Sequence, residues 1–185
     1  DDTGFGVIYI DKATPYVPAH WHQAVELLLL EKGHVTCKFS HSTFKAGPGD
    51  VYLVNSHDVH ETKCTRNAVY LVVHIDPTLM CRYVPTFDQL RFSLAHDPED
   101  REKAEAFAQL REHMAAILHL TQEEDAAGKL ERQARLFALA SILVKHFSLP
   151  LAVEESRLQR SDMTRLEPLL EYIQLHHGEE LPLDE

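Results

Sequence analysis

Between Phe5 and Ile75 the apolar runs are short, and a turn signal cuts each one before it could complete a helix. Phe5 to Ile10 alternates weakly and ends at Asp11 and the Pro15 and Pro18 region. Val25 to Leu30 is continuously apolar, Val35 to Phe39 alternates, and Thr43 to Lys45, Val51 to Val54, His60 to Lys63 and Ala68 to Ile75 follow. Gly33, the run Gly47-Pro48-Gly49-Asp50 and the polar loop Asn55 to Asp58 stand between them, and clusters of this kind are where a chain reverses. Short strands so closely spaced build an all-β sandwich or barrel rather than βαβ units. The continuous run from Val25 fits a strand covered on both faces, and Ala68 to Ile75, with its valines and Tyr70, is the clearest strand of all.

Inside that β region the chain reads His20-Trp21-His22-Gln23-Ala24-Val25-Glu26, and His60 comes later. If residues 20–26 are extended, side chains alternate, so His20, His22 and Glu26 point one way and Trp21 packs on the other layer. Two imidazoles and a carboxylate on one side of a strand, joined by His60 from a segment that could pair nearby, are ligands for a divalent transition metal such as zinc, nickel, iron or manganese. The alternative is a metal-free polar pocket whose groups hydrogen-bond each other or a ligand. Glu26 bears on the choice, because a buried glutamate needs a metal, a cation or a proton. Tyr70 and His74 share parity on one strand; they either contact a ligand in the same interior or point outward. His57 and Asp58 shape the loop beside His60. His176 and His177 are adjacent on a helical pattern, about 100° apart, and cannot easily clamp one ion.

Composition removes several classes. Lys and Arg total 18 against 29 Asp and Glu, a net charge of −11, so no general attraction to phosphate backbones is expected. Cys37, Cys64 and Cys81 lack zinc-knuckle spacing, and an odd count argues against a closed disulfide framework; reduced thiols in a cytoplasmic protein are the simpler reading. No apolar stretch approaches a membrane span of about 20 residues. The chain starts without methionine and ends in mid-pattern, which reads as a piece of something longer.

Beyond residue 95 the period changes. Asp97-Pro98-Glu99-Asp100 opens a helix with an aspartate cap and proline in the first turn. Phe107, Leu110, Met114 and Ile117 are spaced three, four and three, a coiled-coil-like seam that one helix cannot bury alone, and they are the expected homodimer interface. This helix should end near Asp125, with Gly128 soon after. A second should run from about Lys129 to about Phe147, before Leu149-Pro150. Its apolar arc is wide, so it needs two surfaces to bury against. Residues 151–164 read as a linker, and Leu166, Leu169, Leu170 and Ile173 form a last helical stripe with Gly178 as its cap. The expected organisation is a barrel over 1–95, a helical segment over 96–150, the linker, and a further helix over 165–185.

His20-x-His22, three residues, Glu26, six residues and Gly33, then Gly49, ten residues and His60, resemble the two cupin motifs. The order of barrel, helix pair and Tyr172-Ile173 helix narrows the likeness to AraC-type transcription regulators. That resemblance implies a mainly β fold with helices: a cupin-like jelly-roll barrel, a helix pair that dimerises it, and the first helix of a truncated helix-turn-helix domain. It implies a small-molecule effector in the barrel, at His20, His22, Glu26 and His60 together with Tyr70 and His74 if their shared parity faces them inward, and DNA contact only through a missing C-terminal part. The rival is a metal-dependent cupin enzyme, a dioxygenase or isomerase, using the same four metal ligands. A plain oligomerisation module with an empty barrel leaves the polar interior unexplained.

Overall fold

The computed structural model describes residues 3–40, 42–121, 125–150 and Tyr172. Eight strands make two four-stranded antiparallel sheets. β1 (Phe5–Ile10), β8 (Val69–Ile75), β3 (Val25–Lys32) and β6 (Val51–Val54) lie in that order in one; β2 (Tyr16–His20), β7 (His60–Cys64), β4 (Val35–Phe39) and β5 (Thr43–Ala46) form the other. The chain changes sheet at every connection except the β4–β5 hairpin. That strand order is a double-sheet jelly roll, which leaves few open edges.

The expected strands recur with nearly the same limits, and one was missed. β2 carries Pro18 inside it, and Pro15 just before it reads as a break. It is tolerated because β2 is an edge strand, where proline's missing N–H removes no ladder bond, and the register with β7 slips between Val17 and His20. The stretch from His20 to Glu26 is therefore not one strand, as its alternation suggested. β2 stops at His20, β3 starts at Val25, and the residues between cross from one sheet to the other.

β3 shows why its run is apolar on both faces. Leu27 and Leu29 face outward with Leu71, Val73 and Ile75 of β8, and Leu28 and Leu30 face the space between the sheets. Two helices cover the outer face: α2 (Arg101–Leu120) and α3 (Ala126–Ile142), after the short helix α1 (Pro77–Met80) and the strand β9 (Leu90–Phe92). Phe87 and Phe92 pack back onto this core, as their sequence position suggested.

The caps differ from expectation by one signal each. Asp100, not Asp97, caps α2 by accepting from the Lys103 N–H; Asp97 instead closes a turn by accepting from the Glu99 N–H. Asp125 caps α3 through the Gly128 N–H, so Gly128 lies inside the first helical turn and not between the helices. After Ile142 the chain continues as a π-helical turn, Leu143–Phe147, before β10 (Ser148–Pro150), which pairs with β9.

The seam expected at a dimer interface is used inside the protomer. Leu110, Met114 and Ile117 are 0 % exposed and belong to one core with Leu27, Leu71 and Val73, while Phe107 packs partly buried against the same cluster. A helix cannot bury such a stripe alone, but the outer face of its own sheet does. A dimer, where one forms, needs another surface. Residues 1–149 make one compact unit, barrel and helices together; the suggested linker and last helix fall in the second unit, 150–185, and, Tyr172 apart, outside the described residues. Among the described residues no helix is long and apolar enough to cross a membrane.

Candidate metal centre

Strand register arranges the interior of the jelly roll in layers. At one end Leu30 lies opposite Tyr70, and Val35 lies between Ala46 and Cys64. In the middle Leu28 sits between Val72 and Tyr52, and Cys37 opposite Thr62. At the other end Glu26 sits between His74 and Val54, and His60 between Phe39 and His20. The alternation that makes apolar core for two layers delivers imidazoles and a carboxylate in the third. Each sheet contributes a cross-strand pair, His20–His60 from one and Glu26–His74 from the other. His22, on the connection between them, completes the group.

The donors are close and directed. Ring centroids are 4.3 Å apart for His20 and His60, 5.1 Å for His22 and His60, and 5.3 Å for His22 and His74. His20, His22 and His60 each place Nδ1 2.8, 2.8 and 2.9 Å from a backbone carbonyl two residues away, of Pro18, Ala24 and Asp58. A carbonyl only accepts, so each Nδ1 carries the proton and, in the neutral ring, each Nε2 keeps its lone pair. Such a tether fixes tautomer and ring orientation in metal-ligating histidines. The donor atoms of His20, His22 and His60 lie within 4.8 Å of one another, as do those of His22, Glu26 and His74.

Electrostatics favours charge at Glu26 and neutrality at His60. Burial pushes the Glu26 carboxyl up, but hydrogen bonds and positive charge from His22 and His74 outweigh it and hold it at about 2. His74 Nε2 donates to Glu26 Oε2 at 3.0 Å. The Glu26 carboxylate, acting against burial, raises the His22 pKa above its ordinary value. Their contact is nevertheless long, 3.3 Å, and His22 Nε2 is buried without a well-formed hydrogen bond. Burial lowers the His60 pKa; its side chain is 2 % exposed.

An ionised carboxylate beside clustered imidazoles is a donor set that a cation can complete. The residues fit a divalent transition metal on two grounds: an orphaned buried nitrogen at His22, and an N/O donor set suited to zinc, nickel, iron or manganese. Of the expected ligands, His20, His22 and His60 could hold it together, while Glu26 comes within reach of His22 and His74.

The remaining candidates fall around this group. Tyr70 faces the interior as its parity with His74 suggested, but in the far layer, buried, with its hydroxyl pushed up to about 12 by burial. Trp21 lies on the connection between β2 and β3, its ring 5.7 Å from that of His57. Asp58 does more than shape the loop, since its carbonyl holds the His60 ring and its carboxylate accepts from Arg91 at 2.8 Å. His176 and His177 lie outside the described residues.

Sequence reasoning missed Arg91 and the Asn55 clamp. Asn55 donates to the Phe92 carbonyl and accepts from the Phe92 N–H, tying β9 to the barrel loop. Nothing local in the sequence announces a pairing across that separation. Beside the clamp is a cleft of about 530 Å³ lined by Phe39, Tyr52, Leu53, Phe92, Leu94 and Phe107, a size suited to a small molecule. Phe39 belongs to both regions, its ring 6.3 Å from that of His60.

A family model described as the AraC-like ligand binding domain matches residues 4–140. No curated protein matches the chain. Among solved structures, a cupin-2 domain containing protein from Shewanella frigidimarina is 12% identical over 38% of this chain and 68% of its own, with a TM-score of 0.33. A cupin-like protein from Thermotoga maritima is 15% identical over 42% of this chain and 61% of its own, with a TM-score of 0.37. A mutant of Bacillus subtilis oxalate decarboxylase is 18% identical over 40% of this chain but only 22% of its own, also at 0.37.

Proposed function

Because the chain belongs to the AraC-like ligand-binding domain family, we propose that it is the effector-sensing part of an AraC-type transcription regulator, and that it senses through a divalent transition metal. One observation carries the metal: His20, His22 and His60, each tethered at Nδ1, bring their donor atoms within 4.8 Å of one another, and His22 Nε2 lies 3.3 Å from the Glu26 carboxylate. When bound, the metal supplies a fixed positive charge to which an effector's oxygen or nitrogen can attach. The chain's own residues do the rest. Backbone carbonyls hold the ring orientations, Glu26 offsets the charge, and the packed layer of Leu28, Val72 and Tyr52 closes the space behind them.

The cleft supports sensing rather than turnover. Its wall includes Phe107 on α2 and Phe92 on β9 as well as barrel residues. A molecule held there touches barrel and helix together and favours whichever arrangement of the two fits it. Pairing of two copies and the presentation of DNA-binding domains belong to the same reading and rest on the family, not on any described side chain. The same donor set favours a second reading, a metal-dependent cupin enzyme such as a dioxygenase or isomerase.

Elemental analysis after exhaustive dialysis without chelator tests the metal. Near-stoichiometric zinc, nickel, iron or manganese is expected, falling away in Glu26→Gln and His60→Ala. A metal-free, folded protein sinks both the metal-based sensor and the enzyme.

A further inference from the structure

His74 lies outside the four-residue ligand set that the sequence spacing suggests, yet it touches that set. It is the cross-strand neighbour of Glu26, donates from Nε2 to Glu26 Oε2 at 3.0 Å, and has its ring 5.3 Å from that of His22. We propose that His74 is the positioning residue of the metal centre: it holds the Glu26 carboxylate beside His22, the imidazole shared by both donor groups. This rests on the metal reading above and adds a residue to it.

Register makes the pairing specific. Glu26 on β3 is flanked by His74 on β8 and Val54 on β6, so only one of its two cross-strand neighbours can offer it a donor. The histidine donors His20 and His60 ride on the opposite sheet. Glu26 is therefore the one proposed ligand delivered by its sheet, and its side chain has several rotatable bonds. Without a hydrogen bond from the same sheet, the carboxylate would have to give up rotamer freedom on binding an ion. With it, the carboxylate is already directed, since its other close approach is to His22 Nε2 at 3.3 Å. Outer partners of this kind, when removed, weaken metal affinity by about 10–100-fold.

Cobalt(II) is a suitable probe, because its visible absorption reports both binding and coordination. Titrations of the unaltered chain, His74→Phe and His74→Gln, each first shown to be folded, give the test. A phenyl ring keeps the bulk and lacks the donor; a glutamine amide restores an N–H. Positioning predicts a loss of about 10–100-fold in His74→Phe, recovery to within a few-fold in His74→Gln, and an unchanged band pattern in the glutamine variant. Equal affinity in His74→Phe and the unaltered chain overturns the role. So does a His74→Gln variant as weak as His74→Phe with an altered spectrum, which would make His74 a ligand itself. If the unaltered chain binds no cobalt, the metal reading falls and this inference falls with it; the other failures touch His74 alone.

Discussion

The two ends of the jelly-roll interior are built on the same strands and by the same alternation, yet one end is core and the other is chemistry. On β3, Leu28 and Leu30 give way to Glu26; on β8, Tyr70 and Val72 give way to His74; on β7, Thr62 gives way to His60. The apolar end contributes by removing surface from water, worth about 1.5–3 kcal/mol for each large side chain. The polar end gathers imidazoles around a carboxylate, with a buried His22 nitrogen left without a well-formed partner. The apolar core and the polar cluster therefore lie at opposite ends of one interior, and substitutions should separate stability from the proposed metal binding.

The largest effect expected is at the apolar end. Leu30 is fully buried between Tyr70 and the facing sheet, and Leu30→Ala leaves a cavity there. A loss of about 2–5 kcal/mol is expected in urea unfolding, with metal affinity in the folded protein unchanged within a few-fold. A large change in affinity would show that the two ends are not independent.

Acid and alkali should address the two ends separately in the metal-free protein. Glu26 is held at about 2, below its ordinary 4.5, so its stabilisation is present above about pH 4.5 and is lost as pH falls toward 2. Burial pushes Cys37 up to about 11 from 9 and Tyr70 to about 12 from 10. Raised values give stability that is full below the ordinary pKa and is lost as pH rises from about 9. His22, also raised, adds a smaller loss above its ordinary 6.5. Melting temperatures across pH should show Glu26→Gln flattening the acid limb and removing the loss due to His22, and Cys37→Ala softening only the loss that begins near pH 9. A Glu26→Gln variant that also removes the loss beginning near pH 9 breaks the comparison.

Much of this was readable from residue order, though for mixed reasons. The continuous apolar run of β3 and the turn glycines gave strands and connections because covered strands and reversals have local signatures. His20, His22, Glu26 and His60 do come to one end of the interior, but not by the geometry their alternation suggested. They converge because β2 and β3 lie in facing sheets and the chain crosses at His22, not because one strand alternates. His74 and Asn55 could not be assigned their partners, since register between distant strands is a tertiary property. The Leu110, Met114 and Ile117 stripe showed that it must be buried but not against what. A helix seam reads the same whether a second copy or its own sheet covers it.

The smallest expected effect on stability is at His20, and it sharpens the comparison most. His20 lies on an edge strand, exposed, and its ring is held by a local hydrogen bond to the Pro18 carbonyl. Truncating an exposed side chain away from caps and core changes stability by about 0.5 kcal/mol at most. The same substitution removes an Nε2 whose neighbours are His22 and His60, and so takes one of the four proposed ligands. His20→Ala should therefore melt within a few degrees of the unaltered metal-free chain while its metal affinity falls at least tenfold. Calorimetry of both metal-free proteins, followed by metal titration, reads the two quantities on the same samples. Leu30→Ala should show the reverse pattern. If His20→Ala binds metal as tightly as the unaltered chain, the ion is held without the β2–β7 pair, and the proposed four-ligand set is wrong.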